Sequence, residues 1–138
     1  LDSIADIIIV DTGAGISEVV LQFNLLASRN ILIINRELTC LTDAYAMVKV
    51  MFQVFGRQSF GIVTNNTADG REGLSIFKNI DTISRRFLGF PLTYLGNIRQ
   101  DDIVPKSILK QEIPVMSSPR SRVSLDFNAV AQSLFDKA

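Results

Sequence analysis

With 138 residues, 47% of them hydrophobic and 20% charged, the chain has the size of one ordinary domain and enough apolar surface for a core, which excludes a disordered polymer. Fourteen Lys and Arg balance fourteen Asp and Glu, so no overall basic excess favours nucleic acid or an anionic membrane. The absence of His and the single Cys, Cys40, exclude a Ser-His-Asp triad, an imidazole metal site, an internal disulfide and a thiolate zinc cage, and suit a reducing compartment.

Short β-rich apolar runs alternate with longer amphipathic stretches, the order of βα units that carry a parallel sheet. Strands are expected at Asp6–Val10, Asn30–Ile34, Ser59–Thr64 and Thr93–Ile98. The first two are apolar without alternation, which predicts central strands covered on both faces. A helix is expected from Ser17, a candidate N-cap, to Ala27, with Val20, Leu21 and Leu25 on one face. A second is expected over Thr42–Phe55, capped by Thr42, striped by Tyr45, Val48, Phe52 and Phe55, and stopped by Gly56. A third runs from about Arg71 to Leu88, a shorter fourth over Ile103–Gln111, and a last over Ser121–Asp136 with Val123, Phe127, Val130 and Leu134 on one face. No apolar run approaches the roughly 20 residues that span a bilayer, and the opening Leu1-Asp2-Ser3 has no basic start of a secretory signal. The chain also opens without Met, which points to a longer parent.

The sharpest local feature is Ile7-Ile8-Ile9-Val10-Asp11-Thr12-Gly13-Ala14-Gly15, an apolar run that delivers an Asp into a glycine-containing turn. Ligands of open parallel sheets bind beyond the carboxyl ends of the strands, where such a carboxylate can hold Mg²⁺ beside a phosphate. Gly13 and Gly15 would let backbone N–H groups approach an anion. The other reading of Asp11 is a strand-ending residue that caps a turn. Asn65 likewise reads either as a base-recognising amide or as a turn residue beside Asn66. Cys40 and the residues Met47, Met51 and Phe52 read as core.

The segment Asp11-Thr12-Gly13-Ala14-Gly15-Ile16 resembles the Walker B and switch II region of the MinD and ParA group of deviant P-loop ATPases, and more closely their flagellar branch. Thr42-Asp43-Ala44-Tyr45-Ala46 with Lys49, Asn65 followed by Glu72-Gly73, and Phe87-Leu88 with Tyr94-Leu95-Gly96 are similar to that branch in the same order. The resemblance covers nearly the whole chain and implies an α/β fold: a P-loop NTPase-like three-layer sandwich with a parallel sheet, incomplete because the N-terminal P-loop part is absent. Residues 1–138 would then form one unit, the C-terminal part of a MinD-like ATPase domain.

By the same resemblance Asp11 would be the Walker B-like acid that holds Mg²⁺, through water, and Gly13 and Gly15 would belong to the phosphate-sensing switch. Asn65 would meet the adenine edge, and Arg99 and Asp101 would lie in the loop that embraces the base. The family's glycine-rich lysine loop does not occur in these residues, so ATP and Mg²⁺ are expected in the intact protein and weak binding with no hydrolysis in this chain alone. Arg99 stands where the family commonly has Pro, and Arg36-Glu37-Leu38 replaces a segment with Pro beside the Glu.

The implied role is an ATP-dependent switch controlling flagellar number or placement, cytoplasmic and in the intact protein peripheral at the membrane, with a flagellar or polar-localisation partner. The alternative is a nucleotide-independent α/β interaction module, and a third reading is a flavodoxin-like binding domain. In the family the strand leading into the glycine-rich loop lies beside the Walker B strand, so its absence predicts an unpaired edge and self-association. No nucleic acid is expected. The last helix, with Asp126 and Asp136 against Lys137, offers no strong membrane anchor.

Overall fold

The computed structural model describes residues 5–136. Its elements are α1 (Glu18–Leu26), β1 (Asn30–Ile34), α2 (Leu38–Phe55), β2 (Phe60–Thr67), α3 (Gly70–Phe87), β3 (Thr93–Arg99), α4 (Ile103–Lys110), α5 (Pro114–Ser117) and α6 (Arg122–Asp136). Lys137 lies outside the described residues.

The three strands form one parallel sheet in the order β1-β2-β3. Side chains alternate across it, so adjacent residues of β2 serve different cores. Ile62 joins Phe60, Ile34, Val48, Met51, Ile76, Ile80 and Phe90 beneath α2 and α3, whereas Val63 joins Leu95, Ile98 and Val123 beneath α6. The result is the expected α/β/α layering.

The extended prediction for Asp6–Val10 as a central strand is corrected. Ile7, Ile8, Ile9 and Val10 make no ladder and are at least half exposed, Ile9 at 87%. An extended segment gains its hydrogen bonds only from a neighbour, and among the described residues no strand flanks this one. For the same reason β1 is an edge strand and β2 the central one. On β1, Ile31 and Ile33 stay exposed, and the buried Oδ1 of Asn30 has no hydrogen-bond partner.

Helix α2 begins a turn earlier than its sequence pattern suggests. Asn35 Oδ1 accepts the Glu37 N–H at 2.8 Å and turns the chain, and Cys40 and Leu41 pack against the core. Thr42 is therefore inside the helix, its hydroxyl donating to the Leu38 carbonyl at 2.8 Å. The predicted stop at Gly56 is observed in the left-handed region, φ 69°, which glycine adopts without a Cβ penalty. By length and composition α2 could cross a bilayer, but Val48 and Met51 are wholly buried against the sheet.

Helix α3 buries Gly73, Ile76, Ile80 and Ser84. A Cβ on Gly73 would lie 2.7 Å from Asn97 Cβ and 2.7 Å from Thr64 Oγ1, so glycine sets how closely α3 approaches β2 and β3.

Candidate functional site at the carboxyl ends of the strands

In an open parallel sheet, ligands bind beyond the carboxyl ends of the strands. Here that end collects Asn65 and Asn66 in the last residues of β2 with Asp69 beyond it, Arg99 at the end of β3 with Gln100 and Asp101 beyond it, and Arg36 after β1. Asn66 takes φ 57° and breaks the ladder, so that Asn65 pairs with Ile98 but Thr67 with Arg99. Bulges of this kind redirect side chains at sheet ends. Both asparagines are exposed, and Asn65 Oδ1 accepts the Asn66 N–H at 2.9 Å. That leaves the amide NH₂ of Asn65 as the group with donors to offer.

The base of this edge is firmly built. Gln100 N–H donates to the Thr67 carbonyl at 2.8 Å and Asn97 Nδ2 to Thr67 Oγ1 at 3.1 Å. Asp69 caps α3, its carboxylate accepting the N–H groups of Arg71 at 2.8 Å and Glu72 at 2.9 Å. The N–H of Glu72 is the chief reason why the Asp69 carboxyl titrates below its ordinary value. Glu72 in turn accepts the Ala68 N–H and lies 3.9 Å from Arg36.

Arg99 is committed to an internal partner. Asp126 on α6 accepts its Nε at 2.9 Å, its Nη2 at 2.8 Å and its backbone N–H at 3.0 Å. Burial alone would raise the Asp126 carboxyl, but hydrogen bonds and charge from Arg99 outweigh it and hold it below the usual range. Hydrogen bonding to Asp126 raises Arg99 correspondingly. Asp101 Oδ1 accepts the Ile103 N–H at 3.0 Å and so starts α4.

The structure thus groups Asn65, Arg99 and Asp101 at adjoining strand ends. Asp11, Gly13 and Gly15 instead lie on the segment before α1, outside the sheet. Asp11 and Gly13 are exposed, and Gly15 has φ 96° with open space around it. The reading of the sequence missed Asp126 as the partner of Arg99, for which no local spacing gives a signal. It also missed the cap at Asp69, although Asp69-Gly70-Arg71-Glu72 carries the acid three residues on that marks helix starts.

Asn65 has amide donors to offer, whereas the guanidinium of Arg99 is occupied by Asp126. Among the described residues, no group of three or more acidic or Cys side chains that could hold a metal ion occurs.

No family model matches the chain. It is 36% identical over 129 residues to the antiactivator FleN of Pseudomonas aeruginosa, a match covering 94% of this chain and 46% of FleN. It is 24% identical over 133 residues to the flagellum site-determining protein YlxH of Helicobacter pylori, covering 96% of this chain and 45% of that protein. The chain spans a little under half the length of these relatives. The ordered motifs, the parallel α/β/α architecture and a match running through nearly every residue agree: the chain is similar along its length to part of the flagellar regulators of the MinD and ParA type.

Proposed function

We propose that this chain is the C-terminal part of a flagellar regulator that controls the number or placement of flagella from the cytoplasm, and that its strand-end edge is the base-binding side of an ATP-dependent switch. The observation that carries the reading is the match to FleN along 94% of the chain. In this reading Asn65 donates its amide to the adenine edge, and Asp101 and the backbone after Arg99 border the base. Asp11 supplies the carboxylate for Mg²⁺, and Gly13 and Gly15 allow backbone N–H groups near the terminal phosphate. ATP, when bound with Mg²⁺, supplies the phosphoryl group whose presence or loss would be sensed. Arg99 acts as a positioning residue, because its guanidinium holds α6 rather than facing outward.

Titration calorimetry with Mg-ATP tests the reading. This chain alone is expected to bind weakly and release no phosphate. In the intact protein Asn65→Ala is expected to weaken binding by about 1–2 kcal/mol, the scale of one buried hydrogen bond, and Asp11→Ala to abolish hydrolysis. Unchanged hydrolysis in Asp11→Ala would overturn the assignment of that carboxylate.

The second reading, a nucleotide-independent interaction module, is favoured by the internal engagement of Arg99. An intact protein that fails to bind ATP while still acting on flagella would establish it. Self-association belongs to either reading, and the edge of β1, unpaired among the described residues, with its exposed isoleucines supports it.

A further inference from the structure

Two consecutive exposed side chains break the alternation of β2. Along a strand, residues two apart share a face. A Cβ on Gly73 of α3 would meet both Thr64 Oγ1 and Asn97 Cβ at 2.7 Å, so Thr64 and Asn97 face α3. Strict alternation would then turn residue 66 toward α3 as well. Instead Thr67 takes that place: it is 1% exposed and its Oγ1 accepts Asn97 Nδ2 at 3.1 Å, while Asn65 and Asn66 both stay at the surface.

The ladder on either side forces this shift. Asn65 pairs with Ile98 and Thr67 with Arg99, so three residues of β2 oppose two of β3, and Asn66 is the extra one. Thr67 is fixed by its burial and by the Gln100 N–H, which its carbonyl accepts at 2.8 Å. Held between two fixed neighbours, Asn66 takes φ 57°, a region that β-branched residues avoid and that Gly and Asn tolerate. Its N–H, outside the ladder pairs, donates to Asn65 Oδ1 at 2.9 Å. That contact orients the Asn65 amide, because only the oxygen can accept it: the oxygen is held against the backbone and the NH₂ is left to donate.

We propose that Asn66 is a positioning residue, whose left-handed bulge holds the Asn65 amide ready to donate to a ring nitrogen of a purine base. The proposal rests on the strand-end edge being the base-binding side, as argued above. Asn66 acts through its backbone, and its own side chain is not required.

Titration calorimetry on the intact protein tests this, with Mg-ATP and with Mg-tripolyphosphate, which carries phosphates and no base. Asn66→Gly keeps both the positive φ and the N–H, and its ATP affinity is expected within about twofold of wild type. Asn66→Val resists that φ and is expected to weaken ATP binding about fivefold to thirtyfold, as Asn65→Ala does, with tripolyphosphate binding unchanged. Asn65→Ala combined with Asn66→Val is expected to bind ATP no more weakly than Asn65→Ala alone, because both act through one contact. Should Asn66→Val fail to fold by circular dichroism, the milder Asn66→Ala replaces it, with a loss in the same direction expected. Wild-type ATP affinity in that variant, an equal loss in Asn66→Gly, a parallel loss of tripolyphosphate binding, or additive losses in the double variant each overturn the proposal and leave the base-binding reading standing. An ATP affinity that Asn65→Ala leaves unchanged, or no ATP binding by the wild type, overturns that reading and the proposal with it.

Discussion

Removing the Asp126 carboxylate should cost stability by an amount that pH controls. Its side chain is 12% exposed and that of Arg99 30%, so the pair lies between a surface ion pair, worth about 0–1 kcal/mol, and a fully buried one, whose disruption costs about 3–5 kcal/mol. Asp126→Ala removes the acceptor of three hydrogen bonds, while the partly exposed guanidinium recovers some hydration. A loss of about 2–3 kcal/mol follows. Asp126→Asn keeps one carbonyl acceptor and should lose about half as much. The Asp126 carboxyl is held below its ordinary value of 3.8 in the fold, so its contribution is complete above that value and disappears as pH falls through the depressed folded value. Urea denaturation of wild type and Asp126→Asn at pH 7 and at successively lower pH, for as long as the fold persists, should show two curves converging below about pH 4. A gap that is the same at every pH, or an Asp126→Ala variant within about 0.5 kcal/mol of wild type, would refute the reasoning.

Two further outcomes follow from packing. Gly73→Ala should lower stability by about 1–3 kcal/mol, because its methyl would meet Asn97 Cβ and Thr64 Oγ1 at 2.7 Å; thermal melting measures it, and a melting temperature equal to wild type contradicts the close approach of α3. The free edge of β1 predicts self-association that Ile31→Lys with Ile33→Lys suppresses, since charge on an edge strand blocks pairing; light scattering across a dilution series checks this, and a wild-type mass that stays monomeric at high concentration rules it out.

The alternating elements were legible because each leaves a local mark. β1 is the apolar run Ile31–Ile34 preceded by Asn30, and the stop of α2 rests on a conformation that Gly56 adopts freely. The extra length of β2 was not legible, because Asn65-Asn66-Thr67 reads as a turn; Asn66 does turn the chain, as a bulge inside the strand. The largest departure, Ile7–Val10, has the composition of a central strand. Composition states what a segment can do, whereas a ladder depends on what lies beside it, and here nothing described does. The candidate site divides on the same line. Asn65 and Asp101 were singled out through the family resemblance, and the structure has both at the carboxyl ends of strands. The true partner of Arg99 lies 27 residues away on another element, a distance over which sequence spacing carries no information.

The pairing of Arg99 with Asp126 has a topological consequence. Together with the hydrogen bond from Gln100 to Thr67 it pins both ends of an excursion that leaves the sheet after β3 and returns at α6. The chain between the two pins carries α4 and α5 and supplies no strand to the sheet. Because the closure entropy of a loop grows only slowly with its length, residues added or removed in the turn at 111–113 would cost the fold little. This stretch can therefore diverge in sequence and length among relatives while the ladder beneath it stays fixed, which makes it the part of the molecule most free to acquire a specialised surface.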